Sequence, residues 1–64
     1  MKVKYDKEAD VLYIAFSDEK INESDEDKPG IILDYDSHGT LVGIEILDAS
    51  KKMENPAQVD YEVA

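Results

Sequence analysis

Hydrophobic residues recur along this chain with a period of two rather than 3.6, the pattern of half-buried strands. From Lys2 to Tyr5, Val3 and Tyr5 point one way while Lys2 and Lys4 point the other. A polar, turn-like Asp6-Lys7-Glu8-Ala9-Asp10 follows. Val11 to Phe16 is rich in β-branched and aromatic residues and apolar on both sides. Leu12, Ile14 and Phe16 share one face, and Val11, Tyr13 and Ala15 the other, so this strand wants cover on both. Ile31 to Asp36 alternates next, with Ile31, Leu33 and Tyr35 opposite Ile32, Asp34 and Asp36. Thr40 to Leu47 returns with Val42, Ile44 and Ile46 opposite Leu41, Gly43, Glu45 and Leu47. Asp36-Ser37-His38-Gly39 between them suits a type I turn, with Gly39 at the left-handed position of a bulge.

Two segments break the alternation. Ser17 to Lys28 carries six acids and two lysines, a local charge of −4, and Ile21 is its one large apolar residue. It reads either as a loop or as a short charged edge strand around Ile21 to Glu23, where charge discourages pairing with other chains. Pro29-Gly30 then closes the door to any helix running through. After Leu47, Asp48 or Ser50 is placed to cap a short helix through Met53, and Asn55-Pro56 ends it. Val59, Tyr61 and Val63 alternate with Asp60 and Glu62 and predict a last strand. The expectation is a mainly β (α+β) domain over residues 1–64, an antiparallel meander of four or five short strands with one short C-terminal helix or helical turn.

Such a sheet cannot cover both of its own faces. The second face, around Val11 and Tyr13, must meet something, and a second copy about a two-fold axis is the simplest partner, so a homodimer is expected. The alternative is that Ser17–Lys28 or the C-terminus folds over it. With 64 residues, a lone domain of this size hides only about 60% of the surface that its unfolded chain exposes, which also favours a partner.

Charge narrows the partners. Sixteen acids against seven lysines, with no arginine, leave a net charge of −9. Phosphate backbones and anionic membranes repel such a chain, so neither nucleic acid nor membrane is expected. A basic protein or a cation would be attracted. Absence of cysteine closes off disulfides, thiolate zinc sites and thiol nucleophiles. The longest apolar run, Val11 to Phe16, is far short of the roughly 20 residues a membrane helix needs. Met1-Lys2-Val3-Lys4 enters patterned sequence without a signal-peptide shape, so no signal peptide is expected.

Candidate chemistry is sparse. Asp34, Asp36, His38, Gly39 and Glu45 fall at calcium-loop spacings, but imidazole is a poor ligand for a hard cation and a strand, not a helix, precedes Asp34. A hairpin explains the same residues. On it Asp34 and Glu45 would lie near cross-strand positions, a pair of acids that repel unless one is protonated. Asp6, Glu8 and Asp10 read as turn carboxylates able at most to hold an exchangeable magnesium or calcium. His38 sits on a turn tip, and no serine lies in a G-x-S-x-G setting. Tyr5, Tyr13, Tyr35 and Tyr61 suit half-buried strand positions better than a dedicated recognition patch. These residues assign no catalytic set, no cofactor and no metal site. The favoured function is a non-enzymatic protein-interaction module whose acidic Ser17–Asp27 segment meets a basic protein. The alternatives are a weak divalent-cation-binding or acid–base enzyme using Asp34, Asp36, His38 and Glu45, and a structural homodimer subunit.

Three stretches together resemble a known family: Tyr5-Asp6-x-Glu8-Ala9-Asp10-x-Leu12-Tyr13-Ile14, Pro29-Gly30-x-Ile32-Leu33-Asp34-x-Asp36, and Val42-Gly43-Ile44-Glu45-Ile46-Leu47-Asp48-Ala49-Ser50. They look like the YuzE-like small prokaryotic proteins of unknown function. The likeness runs from Lys2 to about Ser50 and is most specific in the last stretch. It implies a compact β-rich cytoplasmic domain and an antitoxin role beside small toxin-like proteins. It carries over no catalytic residue.

Overall fold

The computed structural model describes all residues from Met1 to Ala64. Five strands form one antiparallel sheet: β1 (Lys2–Asp6), β2 (Val11–Ala15), β3 (Glu23–Lys28), β4 (Ile31–Tyr35) and β5 (Leu41–Leu47). A single helical turn, α1 (Ala49–Lys52), follows. The mainly β architecture is the one the alternation predicts, and the short C-terminal helix is present as expected, though Asp48 at its N-cap makes no side-chain capping bond. The order across the sheet is β1-β2-β5-β4-β3. A β1-β2 hairpin therefore joins a β3-β4-β5 meander through β2 and β5, instead of one unbroken meander.

The fifth strand is β3, not Val59–Val63. All six residues of β3 are exposed. It forms despite poor strand propensity because β4 offers it a free ladder, extended by Asn22 N–H donating to the Tyr35 carbonyl at 2.8 Å. The 59–63 stretch alternates correctly but meets no sheet edge or apolar face. Val59 and Val63 are 57% and 81% exposed. Alternation alone specifies which side to bury and supplies nothing to bury it against. Nor does the acidic segment fold over a face: residues 16–22 run past the end of β5 and β4 to reach the far edge, starting with Phe16 N–H on the Val42 carbonyl at 2.8 Å.

Register sorts the side chains into rows. On one face Val3, Ile14, Ile44 and Leu33 lie side by side, and the next row is Tyr5, Leu12, Ile46 and Ile31. No charge enters these eight positions; it appears only where the rows reach β3, at Asp25 and Lys28. The other face carries Lys2, Ala15, Gly43, Asp34 and Ser24 in one row and Lys4, Tyr13, Glu45, Ile32 and Glu26 in the next. The face expected to need a partner, around Val11 and Tyr13, is thus the mixed one, and the wholly apolar face is its opposite.

Extensive packing between elements is confined to neighbouring strands. Only six residues are buried, with Leu12, Val42 and Ala49 forming the apolar core, yet 31 backbone hydrogen bonds are made. Backbone pairing is well developed while side-chain burial is thin. The chain measures 33 × 31 × 20 Å, with a radius of gyration of 12.2 Å. A compact chain of this length would have about 10.7 Å, so the fold is a slab one sheet thick. No helix is long and apolar enough to cross a membrane.

Candidate functional site

The mixed face holds the one polar cluster at the sheet centre. Asp34 on β4 is fully buried, the only polar residue that is. Ser24 on edge strand β3 stands opposite and donates its hydroxyl to Asp34 Oδ1 at 2.6 Å. Asp34 Oδ2 has no hydrogen-bond partner. A bulge follows at Asp34/Tyr35. Across the ladder, Asp34 pairs with Gly43, and Glu45 lies one step along the same face of β5, diagonal to Asp34. Such diagonal neighbours are within reach of long side chains. Tyr13 completes the group from β2. Its hydroxyl lies over Gly43, where an added Cβ would come within 2.9 Å of that oxygen and 3.0 Å of the Ile14 carbonyl. Glycine is needed here for close approach.

The electrostatics follow from this crowding. The Glu45 carboxyl is pushed up to about 7, first because its protonated form can donate a hydrogen bond to the nearby Asp34 carboxylate, then by burial and by the charge of Asp34. Burial, with the charges of Asp34 and Glu45, raises the Tyr13 phenol above its ordinary value. A carboxyl that keeps its proton can donate to a carboxylate; two carboxylates cannot.

Of the residues with calcium-loop spacing, the structure brings together Asp34 and Glu45 and separates the rest. Asp36 builds the turn, where its Oδ1 accepts the His38 and Thr40 N–H groups at 2.9 and 3.0 Å. Those bonds hold its carboxyl below the usual range, the Thr40 N–H contributing most. His38 is exposed at the tip, and Gly39 takes φ +78° as the turn requires. The four residues form no single cage, and no group of three or more His, Cys, Asp or Glu side chains is placed to hold a metal ion.

Asp6 and Asp10 serve structure. Asp6 Oδ1 accepts the N–H groups of Glu8 and Ala9, both at 3.1 Å. Asp10, at φ 56°, is a hub. Its Oδ1 accepts the Tyr5 hydroxyl at 2.7 Å and Ser50 N–H at 3.0 Å, and its Oδ2 the Ser50 hydroxyl at 2.6 Å. Its own carbonyl takes Ala49 N–H at 3.0 Å. Sequence reasoning missed this tie, because its partner is 40 residues away. The tyrosines do not form a patch: Tyr5 lies on the apolar face, Tyr13 on the mixed face, and Tyr61 is 74% exposed in the tail.

No curated protein and no solved structure matches this chain. One family does match, over residues 2–50, the span that includes Asp10, Asp34, Gly43, Glu45 and Ser50. The chain belongs to DUF2283, a family described as a protein of unknown function.

Proposed function

We propose that this protein is a non-enzymatic interaction module that works as a homodimer, two copies packing apolar face to apolar face. One observation carries the reading: eight side chains in two adjacent rows on β1, β2, β5 and β4 form a continuous uncharged face across which no second sheet or long helix packs, with Leu12 buried and the other seven still partly or largely exposed. The surface area supports it. The chain exposes 5085 Å². A folded monomer of this mass would expose about 4,100 Å². The excess, to which the exposed C-terminal stretch also contributes, is of the order of the roughly 800 Å² that each partner brings to a stable interface. A net charge of −9 opposes self-association, but none of it falls on these eight positions.

Light scattering on the eluting peak of a size-exclusion column tests it. A dimer is expected at micromolar protein, and Val3→Glu is expected to convert it to monomer. Val3 is 39% exposed, so the folded monomer tolerates the change. A wild-type mass of 7.2 kDa at high micromolar concentration overturns the reading.

The open acidic edge favours a second contact. Glu23, Asp25, Glu26 and Asp27 all stand exposed on β3, and Asp18 and Glu19 are exposed in the segment that leads to it. A basic protein would be steered there electrostatically, in the manner of an antitoxin meeting a basic toxin. Binding that persists unchanged from 50 mM to 500 mM salt would exclude that contact.

A further inference from the structure

We infer that Asp34 and Glu45 form a proton-binding site: one proton is retained between them, carried by Glu45 and donated to the partnerless Oδ2 of Asp34, and its release loosens the β4–β5 ladder.

Asp34 is fully buried, and its Oδ1 is already taken by the Ser24 hydroxyl. Oδ2 is an orphan. A buried acceptor without a donor is costly, more so when it is charged. The donor must come from what faces it. From β2 that is Tyr13, whose hydroxyl lies over Gly43. From β3 it is Ser24, already committed, with Glu26 in the next row. From β5 it is Glu45. Lys2 and Lys4 stand on β1, beyond Ala15 and Tyr13, and no lysine lies on β2, β4 or β5 to neutralise the pair. With no cation at hand, a proton on Glu45 supplies both the missing hydrogen bond and the missing charge balance. A divalent cation fits worse, since two carboxylates leave most of its usual six or more oxygen positions to water.

The direction of the pH effect follows. The folded Glu45 carboxyl titrates at about 7 against 4.5 for a free one. Between these values the folded chain holds a proton that the unfolded chain has lost. The contribution is complete below 4.5, declines as pH rises, and is gone above about 7.

Urea unfolding from pH 4 to 9 at fixed protein concentration, followed by circular dichroism, tests the site. For the wild type the unfolding constant is expected to rise by up to about tenfold per pH unit within that window, then level off. In Glu45→Gln the amide donates permanently to Oδ2, so this rise disappears and the variant exceeds the wild type in stability at pH 8. Carbon NMR of the wild-type Glu45 carboxyl gives a reading that needs no variant, with a midpoint near 7 expected. A midpoint in the ordinary range near 4.5, or an undiminished rise in Glu45→Gln, overturns the inference. Stabilisation of the wild type at pH 8 by millimolar magnesium or calcium, lost in Glu45→Gln, assigns the pair to a cation instead and overturns it as well.

Discussion

Single atoms decide the tolerance of the central positions. Gly43 has room for no side chain, with the Tyr13 hydroxyl and the Ile14 carbonyl at 2.9 and 3.0 Å from where a Cβ would sit. The tyrosine ring can yield; the backbone of β2 cannot without stretching the ladder. Gly43→Ala is therefore expected to destabilise the fold by about 1–3 kcal/mol, measured as a lower urea midpoint with an unchanged slope. Asp10, together with Asp36, contributes to the acid limb of stability. The Ser50 hydroxyl first, then the Tyr5 hydroxyl and Ser50 N–H, hold its carboxyl below 3.8. A lowered folded value contributes stability above 3.8 that is lost as pH falls through the folded value. Asp10→Ala is expected to lower the thermal midpoint at pH 6 and to flatten the acid limb, whereas Asp10→Asn keeps part of the midpoint. With Glu45 acting in the opposite direction, the stability maximum is expected on the acid side of neutrality, between these two limbs.

Among the elements, four strands were legible because period two is unambiguous where one face is greasy. Lys2–Asp6, Val11–Ala15, Ile31–Tyr35 and Leu41–Leu47 lie within one residue of the stretches that alternation marks. Gly39 was legible for its turn chemistry. β3 was only half legible. Glu-Ser-Asp-Glu-Asp-Lys has neither alternation nor β-branching, and its strand state comes from the partner it lies beside. Conversely Val59–Val63 had the pattern and lacked the partner. The Asp34–Glu45 proximity was readable from hairpin geometry, but the burial of Asp34 was not, since its cover comes from strands distant in sequence. β3 is also the protective edge. Replacing Glu23 and Asp25 by Thr keeps the ladder and removes charge, so static light scattering is expected to show growth beyond the dimer at concentrations where the wild type stops.

One face of the sheet is free of charge at its eight central positions, and salt distinguishes the two contacts proposed for the molecule. Self-association across the apolar face brings together two chains of −9 each, so screening assists it. The dimer dissociation constant is expected to fall severalfold between 50 mM and 500 mM sodium chloride, as read by sedimentation equilibrium, while any complex with a basic protein weakens over the same range. A dimer that dissociates with added salt would place charged groups in the contact and argue against the apolar face.

The join between β2 and β5 has a kinetic implication. Each flanking unit, the N-terminal hairpin and the later three-stranded ribbon, closes through short connections and so assembles from nearby residues. Their union must bring Val11–Ala15 against Gly43–Leu47 across the intervening chain. Loop closure of that span is expected to be the slow, entropy-limited step of folding, with the two local units formed before it.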